Sequence, residues 1–108
     1  MRYNNDGEQK VATTKDFRDF VLEQLQAMDD ITCKPMMGEY LLYYKRLLFG
    51  GIYDNRVLVK MTKTNEKFDM STEIPYNGAK PMFMVEDIEN TENLKEIVLV
   101  TCDGLKKL

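Results

Sequence analysis

The chain has 108 residues, of which 44% are apolar and 31% are charged, and this is the size and composition of one globular domain. Its formal net charge of -3 gives no global reason to expect binding to nucleic acid or to an anionic membrane. Histidine is absent, which excludes the commonest general base near neutral pH and the commonest metal ligand. We therefore expect no catalytic residue, no metal and no cofactor.

Cysteine content and hydropathy indicate the cellular compartment. Cys33 and Cys102 are too few for a disulfide-stapled secreted domain, so we expect two free thiols. The longest apolar stretch is interrupted by Lys45 and Arg46 and is too short for a membrane span. Residues 1–10 have no apolar core of a signal peptide, so we expect a cytoplasmic protein without membrane contact.

The first ten residues differ in composition from the rest of the chain. Residues 1–10 are polar, carry charges of both signs and show no hydrophobic periodicity. We interpret them as a disordered extension or one added by cloning, and residues 11–108 as the domain proper.

Apolar residues recur at helical spacing soon after this extension. They form one stripe of a helix and comprise Phe17, Phe20, Val21, Leu25 and Met28. The spacing predicts a helix over Thr14 to Met28 that is capped by Thr13 or Thr14.

Aromatic and branched residues then predict a β-meander. After an extended piece at 31–34, the meander comprises strands at 40–44, 47–53 and 56–61. Asp54 and Asn55 suit a two-residue hairpin turn because both tolerate positive φ. Lys45 and Arg46 do not, so we expect a wider or less regular first hairpin.

The rest of the sequence predicts a distortion within the sheet, one helical turn, a last strand and a C-terminal helix. Gly50-Gly51 in mid-strand predicts a bulge or a close backbone approach. Residues 64–68 read as one capped helical turn, and Met82 to Val85 as a last strand. A helix is predicted over Thr91 to Lys107, capped by Asn90 or Thr91, and Gly104 either ends this helix or is carried through it.

These elements predict a two-layer α+β fold, in which the N-terminal and C-terminal helices pack on one face of an antiparallel sheet. The residues predicted to be mostly buried are Phe17, Phe20, Val21, Leu25, Val57, Val59, Leu94, Ile97, Val98 and Cys102.

Candidate chemical groups are few, and each has a plainer structural interpretation. Cys33 beside Lys34 is the better candidate nucleophile, because a cation favours the thiolate, but burial as a small hydrophobe is the alternative. The cluster of Glu86, Asp87 and Glu89 has the oxygen ligands of a Mg²⁺ or Ca²⁺ site, but a solvated connection before a helix explains it more simply.

Charge is distributed unevenly along the chain. Six basic and two acidic residues give 31–63 a net charge of +4, whereas 11–30 and 64–108 are acidic. The meander cations are therefore candidates for a binding rim with neighbouring tyrosines, or they face the acidic helices and solvent. The candidate interaction residues are Lys34, Met37, Tyr40, Lys45, Arg46, Arg56 and Lys60.

Methionine and proline positions add a second indication of a contact surface. Met36, Met37, Met82 and Met84 lie near predicted strand ends, where they either fill gaps in the core or contact a partner. Residues 34–38 form a rigid corner that either sets the sheet against the first helix or presents Lys34 and Tyr40 to a partner.

The stretch from Lys34 to Tyr40 reads Lys-Pro-Met-Met-Gly-Glu-Tyr. It resembles the Arg-Pro-Met-Phe-Gly-x-Tyr pattern that follows the first helix in the N-terminal domain of the TfoX/Sxy competence regulators, with Lys34 in place of Arg and Met37 in place of Phe. Similar order and spacing continue to the C-terminal helix and cover nearly all of residues 11–108. The resemblance implies an α+β fold and a bacterial regulator of competence genes, without the C-terminal helical domain of those regulators.

Together these observations favour a non-enzymatic regulatory domain that acts through protein contacts and forms a homodimer. The alternatives are a weak DNA-binding regulator that uses the basic meander and a small cysteine-dependent enzyme.

Overall fold

In the computed structural model, six strands form an antiparallel sheet that is accompanied by two helices. The structure describes residues 12–107, so the expectation for residues 1–10 lies outside the described residues. The helices are α1 (Lys15–Gln24) and α2 (Thr91–Lys106), and the strands are β1 (Ile31–Met36), β2 (Glu39–Tyr44), β3 (Leu47–Tyr53), β4 (Arg56–Val59), β5 (Ser71–Glu73) and β6 (Met82–Val85). Their order across the sheet is β1-β2-β3-β4-β6-β5. The predicted α+β class is confirmed.

The first four strands are joined by three tight hairpins. Each hairpin has two turn residues, at 37–38, 45–46 and 54–55, and all six residues have positive φ. The predicted turn at Asp54 and Asn55 is confirmed. The hairpin at Lys45 and Arg46 was predicted to be wider or less regular. It is not wider, because Tyr44 pairs with Leu47 across these two residues, whose φ angles are 49° and 70°, but it is less regular, because its register shifts between Leu42 and Tyr43. The right-handed twist of the strands favours this turn geometry strongly enough to hold two long side chains in the left-handed region.

A β-bulge lies between β2 and β3, as the glycine pair predicts. Leu42 pairs with Gly50, the register then shifts, and Phe49 is left as the extra residue. The bulge turns Phe49 into the core, where it is fully buried. A Cβ atom on Gly50 would collide with the carbonyl oxygen of Leu58, so the predicted close backbone approach is also present.

The start of α1 is fixed by two consecutive threonines. Thr14 is the N-cap, and its side-chain oxygen accepts a hydrogen bond from the backbone N–H of Phe17 at 3.0 Å. Thr13 donates through its hydroxyl to the Glu39 carboxylate at 2.6 Å and accepts from the backbone N–H of Asn55 at 3.1 Å. The helix is therefore tied to β2 and to the β3–β4 turn.

The end of α1 falls at Gln24, short of the predicted end at Met28. Tight turns follow, in which the backbone N–H of Met28 donates to the carbonyl oxygen of Leu25 at 2.9 Å. The side chains of Leu25 and Met28 are both buried, so the apolar stripe of the predicted helix continues into the core beyond the end of the regular helix.

The region between β4 and β6 contains one element that the sequence does not predict. The helical turn expected at residues 64–68 is present as a 3₁₀ turn at Glu66–Phe68, and β6 has the predicted bounds. The unpredicted strand β5 pairs with β6 at the sheet edge. It has three residues and no apolar alternation, which leaves too weak a pattern for sequence-based recognition.

The loop after β4 anchors α2. Asn65 is fully buried, and its Nδ2 donates to the carbonyl oxygen of Lys60 and to the hydroxyl of Thr101, each at 2.9 Å. The hydroxyl of Thr64 donates to the carbonyl oxygen of Val100 at 2.9 Å. These bonds satisfy buried polar groups and hold the last turns of α2 against the sheet.

Gly104 lies inside α2 and is carried through the helix. A Cβ atom at this position would collide with the hydroxyl of Thr64 and would lie 2.8 Å from the Cβ of Thr62. Glycine therefore permits the helix to approach the loop that anchors it.

Both helices pack on the same face of the sheet. Eight of the ten residues predicted to be buried are buried, and Phe17 and Phe20 are half-buried against the same core. The strand residues of this core are Leu42, Phe49, Ile52, Val57, Val59, Phe83 and Val85. The predicted two-layer arrangement is confirmed.

Replacing Gly104 with Ala should destabilise the protein by about 1–3 kcal/mol, because the added methyl group overpacks the contact with Thr62 and Thr64. Urea unfolding followed by circular dichroism measures the change. Glu96→Ala on the exposed side of α2 is the matched control and should change stability by less than about 0.5 kcal/mol. Equal stability of the Gly104→Ala variant and the parent would show that the helix does not approach the loop this closely.

Candidate interaction site

The two faces of the sheet differ in what covers them. Strand side chains alternate between faces, and directly paired residues share one. One row across the sheet belongs to the core beneath the helices and comprises Leu42, Gly50, Val59 and Phe83. The neighbouring row therefore points away from both helices and comprises Leu41, Gly51, Leu58 and Met84. We call this second side the open face.

The open face carries an apolar groove of about 770 Å³. This open-face groove is lined by Met36, Leu41, Leu48, Gly50, Tyr53, Lys60, Met61, Pro75, Tyr76, Ala79, Lys80, Pro81, Met82 and Leu105. Its volume falls within the ordinary range for binding pockets, and most of its lining side chains are apolar.

Residues 74–81 form one wall of the groove. Within this segment Pro75 is buried, and the ring of Tyr76 lies 6.1 Å from that of Tyr53. The Tyr53 ring lies over Gly51, where a Cβ atom would come within 2.7 Å of the ring. Leu58 on the same face is fully buried. The wall thus covers part of the open face and leaves the groove beside it.

Arg56 holds this wall in place. Its guanidinium donates to the carbonyl oxygen of Ile74 at 3.2 Å and to the Glu73 carboxylate at 3.4 Å, and its Nε donates to the carbonyl oxygen of Tyr53 at 3.1 Å. Arg56 was a candidate interaction residue, and the structure gives it a role in positioning the wall.

Among residues 12–107, the charged side chains that line the groove are Lys60 and Lys80, and no carboxylate of this part of the chain lines it. Lys34 lies on the same face of the sheet, since it pairs with Leu41, and its ammonium is 5.1 Å from the centroid of the Tyr43 ring. The part of the open face that carries Lys34, Lys60 and Lys80 is therefore locally positive, although the whole chain has a net negative charge.

The remaining candidate residues lie apart from the groove or at its margin. Lys45 and Arg46 form an exposed turn at the other end of β2, with Lys45 above the Tyr44 ring at 5.4 Å. Tyr40 lies on the helix side, under the Arg18 guanidinium at 5.2 Å. Met37 is 95% exposed at the turn that follows the groove residue Met36. The structure thus does not assemble the seven candidates into one rim.

The sequence leaves open whether the meander cations face the acidic helices. Within residues 12–107, the one salt bridge formed by a meander cation joins Arg56 to Glu73 of β5. Lys34 and Lys45 lie over tyrosine rings instead. The cations therefore do not form salt bridges with α1 or α2 in the described part of the chain.

Sequence reasoning missed the residues contributed by the wall. Tyr76 and Lys80 belong to a stretch rich in Pro, Asn and Gly that reads as a polar connection. Leu41 and Leu48 read as ordinary strand residues. The available signal was the cluster of methionines near strand ends, because Met36 and Met82 both line the groove.

The two thiols lie in environments that disfavour the thiolate. Cys33 is half-buried on β1, and burial raises its pKa although the Arg18 guanidinium opposes this shift. Its neighbour Lys34 points to the opposite face of the strand, so the expected activating cation is directed away. Cys102 is buried in α2, and burial raises its pKa to about 11.

Two other features concern metals and membranes. Glu86, Asp87 and Glu89 are exposed. Across residues 12–107, no three His, Cys, Asp or Glu side chains are grouped so that they could hold a metal ion. Neither described helix has the length and apolar character needed to cross a membrane.

Comparison with known proteins identifies a relative. A protein of Spirochaeta aurantia, described as an uncharacterized 12.7 kDa protein in the trpE 5′ region, is 32% identical to this chain over 98 residues. The alignment covers 88% of this chain and 85% of that protein. The chain belongs to that protein's family. No family model matches the chain.

Alkylation of Cys33 by iodoacetamide should keep accelerating as the pH rises past about 9, because the fraction of reactive thiolate is still increasing below the raised pKa. Mass spectrometry of the Cys33 peptide over a pH series measures the rate, with a free cysteine derivative in the same tube as the reference. Cys102 should react more slowly still, since its thiol is buried. A Cys33 rate that levels off below about pH 8 would reveal an activated thiol.

Proposed function

We propose that this chain is a non-enzymatic regulatory domain that binds a partner protein through the open-face groove. The observation that carries the proposal is the concentration of exposed apolar side chains around the groove. Exposed contiguous apolar surface on a small protein is typical of an interaction site.

Most of the large exposed apolar side chains in residues 12–107 lie in or beside the groove. Met61 and Tyr76 line it and are 44% and 46% exposed. Met37 and Ile74 are exposed next to the lining residues Met36 and Pro75. Leu99 alone of this set lies elsewhere, on α2. The apolar surface therefore extends beyond the groove itself, which favours a macromolecular partner over a small ligand.

The thiol environments support a non-enzymatic role. Cys33 and Cys102 are the strongest nucleophiles of the described chain, and the pKa of each is raised. At neutral pH both remain thiols, which are poor nucleophiles. Burial in the core explains Cys102 without catalysis.

The regulatory part of the proposal rests on the resemblance of residues 34–40 to the N-terminal domain of the TfoX/Sxy competence regulators. That resemblance implies a role in the regulation of competence genes, and the groove is the surface proposed for the contact with a partner. Cytoplasmic location and assembly as a homodimer are parts of the same proposal.

A second candidate is DNA binding, which the local positive charge of the open face favours. Lys34, Lys60 and Lys80 lie on this face together with Tyr43. Binding through such a patch on a chain of net negative charge would be weak and would fall steeply with salt.

Photo-crosslinking tests the proposal directly. Met61 is replaced with p-benzoylphenylalanine in one variant, and Leu99, exposed on α2, is replaced in the matched control. After irradiation in the native cells, we expect discrete protein adducts through position 61 that position 99 does not form. Mass spectrometry identifies the adducts.

The result that contradicts the proposal is the same adduct pattern at both positions, or adducts to nucleic acid through position 61. DNA is tested separately by fluorescence anisotropy at low and physiological salt. Tight binding to DNA that persists at physiological salt would favour the second candidate.

A further inference from the structure

We propose that the open-face groove binds an amphipathic protein segment in which acidic side chains lie next to apolar ones. The proposal rests on the protein-binding function proposed above and specifies the chemistry of the partner. It is carried by the placement of two lysines at one end of an otherwise apolar groove.

Both lysines lie at the same end of the groove. Val59 of β4 pairs with Phe83 of β6, so the next step of the antiparallel register sets Lys60 beside Met82. Lys80 precedes Met82 by one residue, Pro81, and lines the same groove. Lys60 and Lys80 therefore both adjoin the part of the groove that Met82 lines.

Neither lysine forms a salt bridge with any of residues 12–107. In the part of the chain that the structure describes, no carboxylate lies within salt-bridge distance of Lys60 or Lys80. Arg56, the other cation near this wall, is paired with Glu73. The positive charge at this end is thus available to an incoming carboxylate.

The acidic segments elsewhere in the chain make the lysine end of the groove more selective for an acidic partner. Residues 64–108 carry nine acidic and five basic residues, and residues 11–30 carry five acidic and two basic residues. An acidic segment is repelled by most of this surface and attracted at the lysine end. Such complementarity sets the orientation and association rate of a partner more than its affinity.

The apolar floor supplies the remaining contact. Leu41 and Leu48 lie on the floor, with Met36 and Met82 beside them. Methionine side chains are flexible and polarisable, so they adapt to apolar side chains of different shapes. The groove therefore fits a segment whose apolar residues enter it while acidic residues at one end meet the lysines.

Selection from a library of short random peptides displayed on phage tests this inference. The wild-type protein should enrich peptides that carry Asp or Glu next to apolar residues. A labelled peptide made from the enriched sequences should then bind about tenfold more weakly to the Lys60→Glu/Lys80→Glu variant, as measured by fluorescence anisotropy.

The matched control is the Lys67→Glu/Lys95→Glu variant, in which the same change of charge is made at exposed positions that do not line the groove. It should bind the peptide within about twofold of the wild type. Selection against the Lys60→Glu/Lys80→Glu variant should enrich Lys and Arg instead of Asp and Glu.

Four results overturn the inference. Enriched peptides without acidic residues that compete with crosslinking at Met61 would leave the protein-binding function intact but refute the acidic partner. Acidic peptides that bind the charge-reversed variant unchanged would place their site elsewhere. A short single-stranded DNA that binds at physiological salt and is lost in that variant would identify nucleic acid as the ligand. Absence of any enriched peptide, together with no adduct at position 61, would refute both proposals.

Discussion

A six-stranded sheet with apolar residues on both faces requires more cover than two helices provide, and this constraint shapes the molecule. Both helices lie over the row that contains Leu42 and Val59, where burial is nearly complete. The opposite row contains Leu41 and Leu58 and has no helix above it. Leu58 is fully buried, whereas Leu41 lines the groove beside the wall formed by residues 74–81. The groove is thus the part of the second apolar face that the chain does not cover itself.

The helix side is fixed by close approaches that only small or well-paired groups permit. Gly104 lets α2 approach Thr62 and Thr64, and Asn65 satisfies its polar atoms with partners on the loop and the helix. Gly50 permits the bulge that sends Phe49 into the core. These contacts hold α2 on the helix side of the sheet, and among the described helix residues Leu105 near the end of α2 is the one that lines the groove.

Much of the fold follows from local patterns, and the site does not. The helix stripes, the strand at 82–85 and the Asp54-Asn55 turn were all predicted from periodicity and turn chemistry. The turn at Lys45-Arg46 is tighter than predicted, because strand twist outweighed the side-chain preference at positive φ. Strand β5 was not predicted, because a short polar strand has no periodic signal.

The candidate interaction residues were likewise only partly predictable from local sequence patterns. Lys60 was predicted and lines the groove, but Lys80 and Tyr76 were not predicted, since their segment acquires its role only when Arg56 fixes it over the sheet. Tyr40 was a candidate interaction residue, and it lies on the helix side of the sheet. Which face a strand residue takes depends on the bulge and register, and these are set by tertiary packing.

Methionine methyl NMR of the free protein with a soluble nitroxide tests most directly whether the groove is open. The signals of Met61, Met36 and Met82 should broaden, with Met37 as the fully exposed reference and Met28 in the core as the protected one. If all three groove methionines stay as sharp as Met28, the groove is covered in solution and the account is wrong.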